Sequence, residues 1–320
     1  HPAGPWRDLA LEVRGEALRL DAHGSVARPL ETAGFDVSYA LSGPDIDMLL
    51  PLRGAWSLTG HYADQPGRHV FDALKVTLGK SDIGGRIVLH PGGPRPRLVA
   101  NLDSSLINLD EFVPEHTGQS KAVDGLDQPL DINGLAAIDL DVKMRVRQLE
   151  GLTKPVQDML LSAQADGQRL ALAPARATVE GVQLDAQAEL PWGERLAALG
   201  KNGISVRQLV QHADLAFQAE APAGKLQHQI ALMGHQMNLE LARVEAVAPP
   251  GKALELSASA RLEDTPVQVS LQAAPLAELL RRPEGPWQDL ALEIRGGDIR
   301  LQASGRVDRP FEARGFDIRY

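Results

Sequence analysis

The sequence contains no cysteine and few aromatic residues. Without cysteine the chain can form neither disulfide bonds nor thiolate metal sites. Aromatic residues make up 4% of the chain, so its hydrophobic core must be built from Leu, Val, Ile and Ala. The same scarcity disfavours a carbohydrate-binding sandwich, because sugar faces usually stack on aromatic side chains.

Positive charge and long hydrophobic runs are also scarce. The 33 Lys and Arg residues are outnumbered by 42 Asp and Glu residues, and the net charge of −9 disfavours a nucleic acid as partner. The sequence holds no run of 18 or more apolar residues and no signal peptide. We expect the chain to be a piece of a longer protein, with any membrane anchor or targeting signal outside it.

What the sequence does contain is a long repeat. Residues 2–39 and 283–320 align without a gap at a spacing of 281 residues, and 23 of 38 positions are identical. At several positions where the copies differ, apolar replaces apolar, as at Val13 and Ile294, and at others one solvated residue replaces another, as at Arg7 and Gln288. The tolerant positions tend to alternate with the apolar ones, as expected when successive side chains point to opposite faces of a strand. Each copy therefore predicts strands with one apolar and one solvated face.

The same alternation continues through most of the chain. Its clearest example is residues 138–147, where Ile, Leu, Val, Met and Val alternate with Asp, Asp, Lys, Arg and Arg. We predict about twenty strands, most of them joined by short turns that link antiparallel neighbours, and only a few short helices, among them residues 44–51. A single sheet of this size would extend about 90 Å and must curl, coil or split. The predicted fold is mainly β, a long curved antiparallel sheet or β-groove with a few short helices in a tandem long repeat.

A polar, glycine-bearing stretch suggests how the chain is divided. We predict a first β segment over residues 1–117, a linker over 118–127, a second β segment over 128–280, and the start of the next repeat copy over 281–320.

Sequence motifs for catalysis are incomplete. Gly79-Lys80-Ser81 resembles the end of a phosphate-binding loop, but Leu74 stands where that loop needs its first glycine. Ile83 stands where a serine-hydrolase elbow around Ser81 needs its second glycine. We interpret this segment as the end of a strand followed by a turn.

Histidine and carboxylate pairs also favour structural roles. The nine histidines show no metal-ligand spacing, and His61 and His69 flank a turn where solvated histidines are expected. Asp45 and Asp47 stand at the start of a predicted helix, where capping explains them better than acid–base catalysis does. We therefore predict a protein that is not an enzyme and that uses no cofactor and no metal.

The candidate functional residues are the apolar positions taken together. A track that holds acyl chains must carry no ionised side chain, because a charge that faces an acyl chain costs several kcal/mol, by rough estimate. The alternative is that the same side chains face a second sheet in a closed sandwich. The candidates are Leu9, Leu11, Val13, Leu18, Leu20, Phe35, Val37, Tyr39, Trp56, Leu58, Leu74, Val76, Leu78, Leu98, Leu102, Ile138, Leu140, Val142, Met144 and Val146.

Much of the chain resembles the AsmA family of bacterial envelope proteins, which includes TamB-like members. The resemblance is good over residues 41–192 and looser over 193–280. The pattern "strand, G-x-SDI-x-G, strand, loop, RP-x-L-x-A-x-L-x-S-x-x-(L/I)-x-L" is specific in combination. The segments that carry the resemblance are residues 41–62, 74–90, 95–112 and 137–181.

The resemblance implies a function in the bacterial envelope. AsmA-like proteins are anchored in the inner membrane and extend a β-rich body through the periplasm, and several look like bridge-type carriers with lipid in a hydrophobic groove. For this chain it implies a periplasmic segment that binds phospholipid or another acyl lipid and conducts it between inner and outer membrane. It also implies an inner-membrane anchor outside the chain and envelope proteins as partners. The alternative is a non-catalytic scaffold for outer-membrane biogenesis, whose exposed strand edges pair with partner proteins.

Overall fold

The chain folds almost entirely into β-strands. The structure is a computed structural model, and it describes residues 4–45, 54–112, 129–130, 137–152, 154–191, 204–205, 208, 212–222, 227–232, 235–281, 285–309 and 314–319. None of the helices within these ranges has the length and apolar composition needed to span a membrane.

The strands are numbered here in chain order. The first eleven are β1 (Trp6–Arg14), β2 (Arg19–Arg28), β3 (Ala33–Gly43), β4 (Trp56–Gln65), β5 (Arg68–Leu78), β6 (Ser81–His90), β7 (Arg97–Ser104), β8 (Ile107–Asn108), β9 (Pro129–Leu130), β10 (Asp139–Glu150) and β11 (Val156–Ala165). The others are β12 (Arg169–Val179), β13 (Val182–Pro191), β14 (Ile204–Ser205), β15 (Asp214–Glu220), β16 (Gln227–Leu232), β17 (His235–Ala248), β18 (Ala253–Leu262), β19 (Thr265–Pro275), β20 (Trp287–Gly296), β21 (Ile299–Arg309) and β22 (Arg314–Arg319).

Helical structure is limited to short segments. Two 3₁₀ turns, Pro29–Glu31 and Leu109–Phe112, follow β2 and β8, and one α-helix, α1 (Leu276–Arg281), follows β19. The prediction of only a few short helical segments therefore holds for the described residues. The helix predicted over residues 44–51 lies for the most part outside the described residues, as does the linker predicted over 118–127.

The chain divides into two compact units. The first comprises residues 1–121 and 134–167, and the second comprises residues 122–133 and 168–320. In each unit the predicted fold class is confirmed, since the long strands form an open, curved and largely antiparallel sheet with very little helix.

In the first unit the strands follow chain order from β1 to β7, each antiparallel to the next. The order then changes, because β10 lies parallel to β7 before it pairs antiparallel with β11. A parallel neighbour needs a long crossover connection, and the chain between Phe112 and Asp139 provides one. The Arg95 Nε donates to Asp139 at 2.7 Å and its Nη2 donates to the Ile138 carbonyl at 2.9 Å, so the start of β10 is fixed beside β7.

In the second unit every long strand is antiparallel to its neighbours. The order is β12, β13, β15, β17, β18, β19, β20, β21 and β22, and β16 pairs with the first half of β17. A separate two-stranded pair joins β9 to β14.

The two repeat copies fold with the same register. Trp6 pairs with Val26 in the first copy, and Trp287 pairs with Val307 in the second, 281 residues later. Each copy has a β-bulge directly after its tryptophan, with an aspartate, Asp8 or Asp289, at φ 55°. The identities in sequence therefore correspond to identical strand pairing.

Candidate functional site

One face of the sheet in the first unit is apolar from β1 to β11. Directly paired residues of neighbouring strands point to the same side, so the registers define this face without further assumption. Its members are Leu9, Leu11, Val13, Leu20, Ala22, Val26, Phe35, Val37, Tyr39, Leu41, Trp56, Leu58, Tyr62, Phe71, Leu74, Val76, Leu78, Ile83, Ile87, Leu89, Leu98, Ala100, Leu102, Leu140, Val142, Met144, Val146, Met159, Leu161, Ala163 and Ala165. We call this set the first apolar face.

Eighteen of the twenty candidate residues predicted from sequence lie on this face. The other two, Leu18 and Ile138, directly precede β2 and β10, and Leu18 packs against Trp56 and Leu78. Sequence reasoning missed several members, including Phe71, Ile83 and Ile87. These residues lie in β5 and β6 around a bulge, where the strict alternation of apolar and polar residues is interrupted.

The first apolar face is open. Most of its side chains are half-exposed, and the long strands of this unit belong to one sheet rather than to two stacked sheets. The closed sandwich considered as an alternative is not formed by the residues that the structure describes. An apolar surface of this extent on a single layer is typical of a binding surface.

A small packed cluster lies at one end of the face. Trp56 and Leu78 are 6% exposed and pack with Leu18, Leu41 and Leu58. The Trp56 indole nitrogen donates to the Asp45 carbonyl at 3.0 Å, so this buried donor has a partner.

Polar groups on this side lie toward the ends of the strands. Ser81, Ser104, Gln148 and Gln157 lie toward the end that carries Trp56, and a second polar group lies toward the other end. The Tyr62 hydroxyl and His69 Nδ1 are 2.8 Å apart, and the Asp64 carboxylate accepts from the Gly34 backbone N–H at 2.8 Å. Burial, and secondarily the negative charge of Asp64, raises the pKa of Tyr62 above its ordinary value. His61 and His69 flank the turn between β4 and β5, as predicted, but they lie within these strands, and their side chains are each 34% exposed.

The Gly79-Lys80-Ser81 motif forms the turn between β5 and β6, as interpreted from sequence. The Glu111 carboxylate accepts hydrogen bonds from the Lys80 N–H at 2.8 Å, the Ser81 N–H at 3.1 Å and the Ser81 hydroxyl at 2.5 Å. Ser81 Oγ accepts in turn from the Asn108 N–H at 2.9 Å. Ser81 is thus a buried structural hydroxyl held by the 3₁₀ turn after β8.

The second unit has an apolar face of its own. We call it the second apolar face, and no residue in it was among the predicted candidates. Its described members include Leu170, Leu172, Leu184, Ala186, Leu215, Phe217, Val244, Ala246, Leu254, Leu256, Ala258, Val267, Val269, Leu271, Leu290, Leu292, Ile294 and Val307. Alanine occupies many of its positions, so the sequence signal for an apolar side was weaker.

The opposite face carries most of the charged side chains in both units, and in the first unit it also holds an apolar group of Ala63, Val70, Val88 and Val99. Cross-strand ion pairs lie on it, such as Arg86 Nε to Asp72 at 2.9 Å in the first unit and Arg176 Nε to Asp185 at 2.6 Å in the second. In the second unit this side has a depression over β17 to β21 in which Glu245, Glu255 and Glu293 take part. Its carboxylates make it unsuitable for an acyl chain.

Comparison with known proteins gives no assignment. No protein-family model, no curated protein and no solved structure matches the chain. Within the described residues, no group of three or more histidine, aspartate or glutamate side chains is arranged to hold a metal ion.

Proposed function

We propose that the chain binds phospholipid or another acyl lipid along its apolar faces and conducts it, as a periplasmic segment of an AsmA-like envelope protein. The observation that carries the proposal is the register of the first unit. Nine neighbouring strands place only apolar, small or hydroxyl side chains across the middle of one face. At the usual spacing of strands, this face extends about 40 Å across the strands.

The charges near this face lie where they do not obstruct it. Asp64, Arg28 and Glu150 are on the same side by register, but each lies at or next to the end of its strand, and each has a partner. A lipid tail could therefore lie across the middle of the strands without facing an ionised group. The ion-paired opposite side would keep the same sheet in contact with water.

Half-exposed apolar side chains give this face a physical reason to bind lipid. Each Å² of apolar surface removed from water contributes about 25 cal/mol, so cover by acyl chains is favourable over the whole face. The interaction has no directional requirement, which suits a lipid that moves along the face.

The test is to purify the full chain and measure co-purified lipid by mass spectrometry. We expect acyl lipid with the unchanged chain and less of it with Val142→Asp, because Val142 is half-exposed in the middle of the face. The matched control is Asn101→Asp, which adds the same charge on the polar face opposite Lys143. This control should retain the lipid.

Two results would overturn the proposal. One is the absence of lipid from the unchanged, folded chain, also after incubation with phospholipid vesicles. The other is equal lipid content in both variants while circular dichroism shows that both are folded.

A further inference from the structure

A group of aromatic and polar side chains lies at the end of the first apolar face opposite Trp56. Phe35, Tyr62 and Phe71 occupy the neighbouring strands β3, β4 and β5. The ring centroids of Phe35 and Tyr62 are 6.4 Å apart, and those of Tyr62 and Phe71 are 5.0 Å apart. Aromatic residues make up only 4% of the chain, so three rings together at one place are a local concentration.

The Asp64 carboxylate lies beside these rings, on the same side of the sheet. Asp64 pairs with His69 of β5 and lies beside Phe35 of β3. Its side chain is only 19% exposed. A carboxylate that is shielded from water in this way attracts a cation more strongly than a fully solvated one does.

One oxygen of this carboxylate can accept a further hydrogen bond. Asp64 Oδ2 accepts from the Gly34 backbone N–H at 2.8 Å. Asp64 Oδ1 lies 3.5 Å from His69 Nδ1, beyond the usual length of a hydrogen bond, and this nitrogen is 2.8 Å from the Tyr62 hydroxyl. Among the residues that the structure describes, no lysine or arginine forms an ion pair with Asp64.

The other charges at this end of the face balance each other. Arg28 forms an ion pair with Glu31 at 2.7 Å, and each of these side chains is 62% exposed. This solvated pair leaves the negative charge of Asp64 without a lysine or arginine to balance it.

A cation fits both parts of this arrangement, because it is attracted to a carboxylate and also to the faces of aromatic rings. A primary ammonium group has three N–H donors that it can direct at the carboxylate, as the lysine ammonium does. A trimethylammonium group has no such donor. The combination of a carboxylate oxygen that can accept and adjacent rings therefore favours a primary ammonium.

The first apolar face continues from this group toward its middle strands. Tyr62 pairs with Phe71, and the same row continues through Ile87 and Ala100 to Val142. From β4 to β10 the row crosses four strand spacings, about 19 Å. An acyl chain along this row would place its head group at the ends of the strands, where a phosphate stays in contact with water.

We propose that the Asp64 carboxylate and the rings of Phe35, Tyr62 and Phe71 bind the primary ammonium of a phospholipid head group, as in phosphatidylethanolamine. This inference rests on the proposed function, because the first apolar face must hold the acyl chains of the same lipid. A head group without an ammonium would place the lipid phosphate near an unbalanced carboxylate, so such a lipid would bind this site less well.

The test is to incubate the full chain with vesicles that contain equal amounts of dioleoyl phosphatidylethanolamine, phosphatidylcholine and phosphatidylglycerol. The lipid bound to the separated chain is then measured by mass spectrometry. We expect phosphatidylethanolamine to be enriched at least about twofold over each of the other two lipids, the size of effect expected for an ammonium held by aromatic rings at a half-exposed site.

Asp64→Asn should abolish this enrichment and leave the total amount of lipid unchanged, because the amide oxygen can still accept from the Gly34 N–H. The matched control is Glu150→Gln. It removes a carboxylate from the same side of the sheet at the opposite end of the strands, and it should keep the enrichment.

The outcome distinguishes this inference from the proposed function. If the three lipids bind equally, if phosphatidylcholine is enriched as much as phosphatidylethanolamine, or if Asp64→Asn keeps the enrichment, the head-group site is wrong and lipid binding by the face remains. If Glu150→Gln abolishes the enrichment and Asp64→Asn does not, the ammonium is bound at the other end of the strands. If the folded, unchanged chain binds none of the lipids, the proposed function fails together with the inference.

Discussion

The carboxylate of Glu111 connects the 3₁₀ turn after β8 to the turn between β5 and β6, because it accepts hydrogen bonds from Lys80 and Ser81. Burial by itself would raise the pKa of Glu111. Hydrogen bonds from the Ser81 hydroxyl and from the Lys80 and Ser81 backbone, with the Lys80 charge, outweigh burial and lower the pKa below its ordinary value. The ionised carboxylate is therefore the form that stabilises the fold.

Replacing Glu111 by Gln should lower the free energy of unfolding by about 1–2 kcal/mol at neutral pH, because charge-assisted hydrogen bonds are lost. A lowered pKa in the folded state means that this stabilisation is fully present above the unfolded-state pKa and is lost as pH falls through the folded-state pKa. Urea unfolding across this pH range measures the difference in the free energy of unfolding between the unchanged chain and the variant. This difference should become smaller as the pH is lowered.

Glu16→Gln, at an exposed position before β2, is the control for Glu111→Gln and should have little effect on stability. A Glu111→Gln difference that stays constant or widens toward acidic pH would contradict the assigned role of the carboxylate.

Gly24 shows why a particular residue recurs in both copies of the repeat. It lies in β2 opposite Val37, and an added Cβ would lie 2.7 Å from Val37 Cα. Backbone atoms cannot move aside as the end of a flexible side chain can, so Gly24→Ala should destabilise the chain by about 1–3 kcal/mol. Chemical denaturation measures this, with Gly92→Ala as the substitution expected to change stability by less than about 0.5 kcal/mol. Equal stability of the two variants would show that β3 adjusts freely.

At the scale of the element, the connection between β2 and β3 contains a strained residue. Thr32 follows the 3₁₀ turn Pro29–Glu31 with φ 50° and ψ 44°, a left-handed conformation that a β-branched residue rarely adopts. Its backbone N–H donates to the Pro29 carbonyl at 3.2 Å, so the conformation serves to close the turn. Thr32→Gly should raise the free energy of unfolding by about 0.5–1 kcal/mol, because glycine adopts this conformation without a steric cost.

The same substitution, Thr to Gly, should have the opposite effect on the free energy of unfolding when it is made inside a strand. Thr59 is an exposed residue of β4, and Thr59→Gly should lower the free energy of unfolding by about 0.5–1 kcal/mol, because glycine loses more conformational entropy in a strand. The denaturation midpoints of the two variants, compared with that of the unchanged chain, show whether each substitution stabilises or destabilises the protein. A lower midpoint for Thr32→Gly would contradict the strain inferred at this turn.

The strands were predictable from sequence because alternation is a local property. β10 is an example, since Leu140, Val142, Met144 and Val146 lie on the apolar side as its pattern predicts. The parallel pairing of β10 with β7 was not predictable, because alternation does not encode which strand lies alongside after a long connection. The antiparallel neighbours were predictable from short turns.

The extent of the apolar surface was only partly predictable. In the second unit, residues such as Ala186 and Ala246 occupy apolar positions next to Phe217, and alanine also occurs on polar faces. Alternating Ala and Gln differ less in hydrophobicity than alternating Val and Lys do, so they give a weaker strand signal. The register of neighbouring strands, which the sequence does not state, supplies the missing information.

At the scale of the whole molecule, the proposed function predicts that each unit binds lipid on its own apolar face. Each unit has an apolar face of its own, and Leu256 lies in the middle of the second one, paired with Ala246 and Leu271. If both faces bind lipid, Leu256→Asp and Val142→Asp should each lower the amount of lipid per chain to about half, because an ionised group excludes acyl chains from its surroundings. The double variant should retain almost none.

The measurement is quantitative mass spectrometry of lipid extracted from equal amounts of folded protein. The control for Leu256→Asp is Ser259→Asp, which adds the charge on the polar face of the same strand, opposite Arg243. If Val142→Asp alone removes all the lipid, only the first unit binds it, and the second apolar face then has another role. If the double variant retains the full amount, the lipid is held elsewhere on the molecule, because both faces would then carry a charge at their centre without losing their ligand.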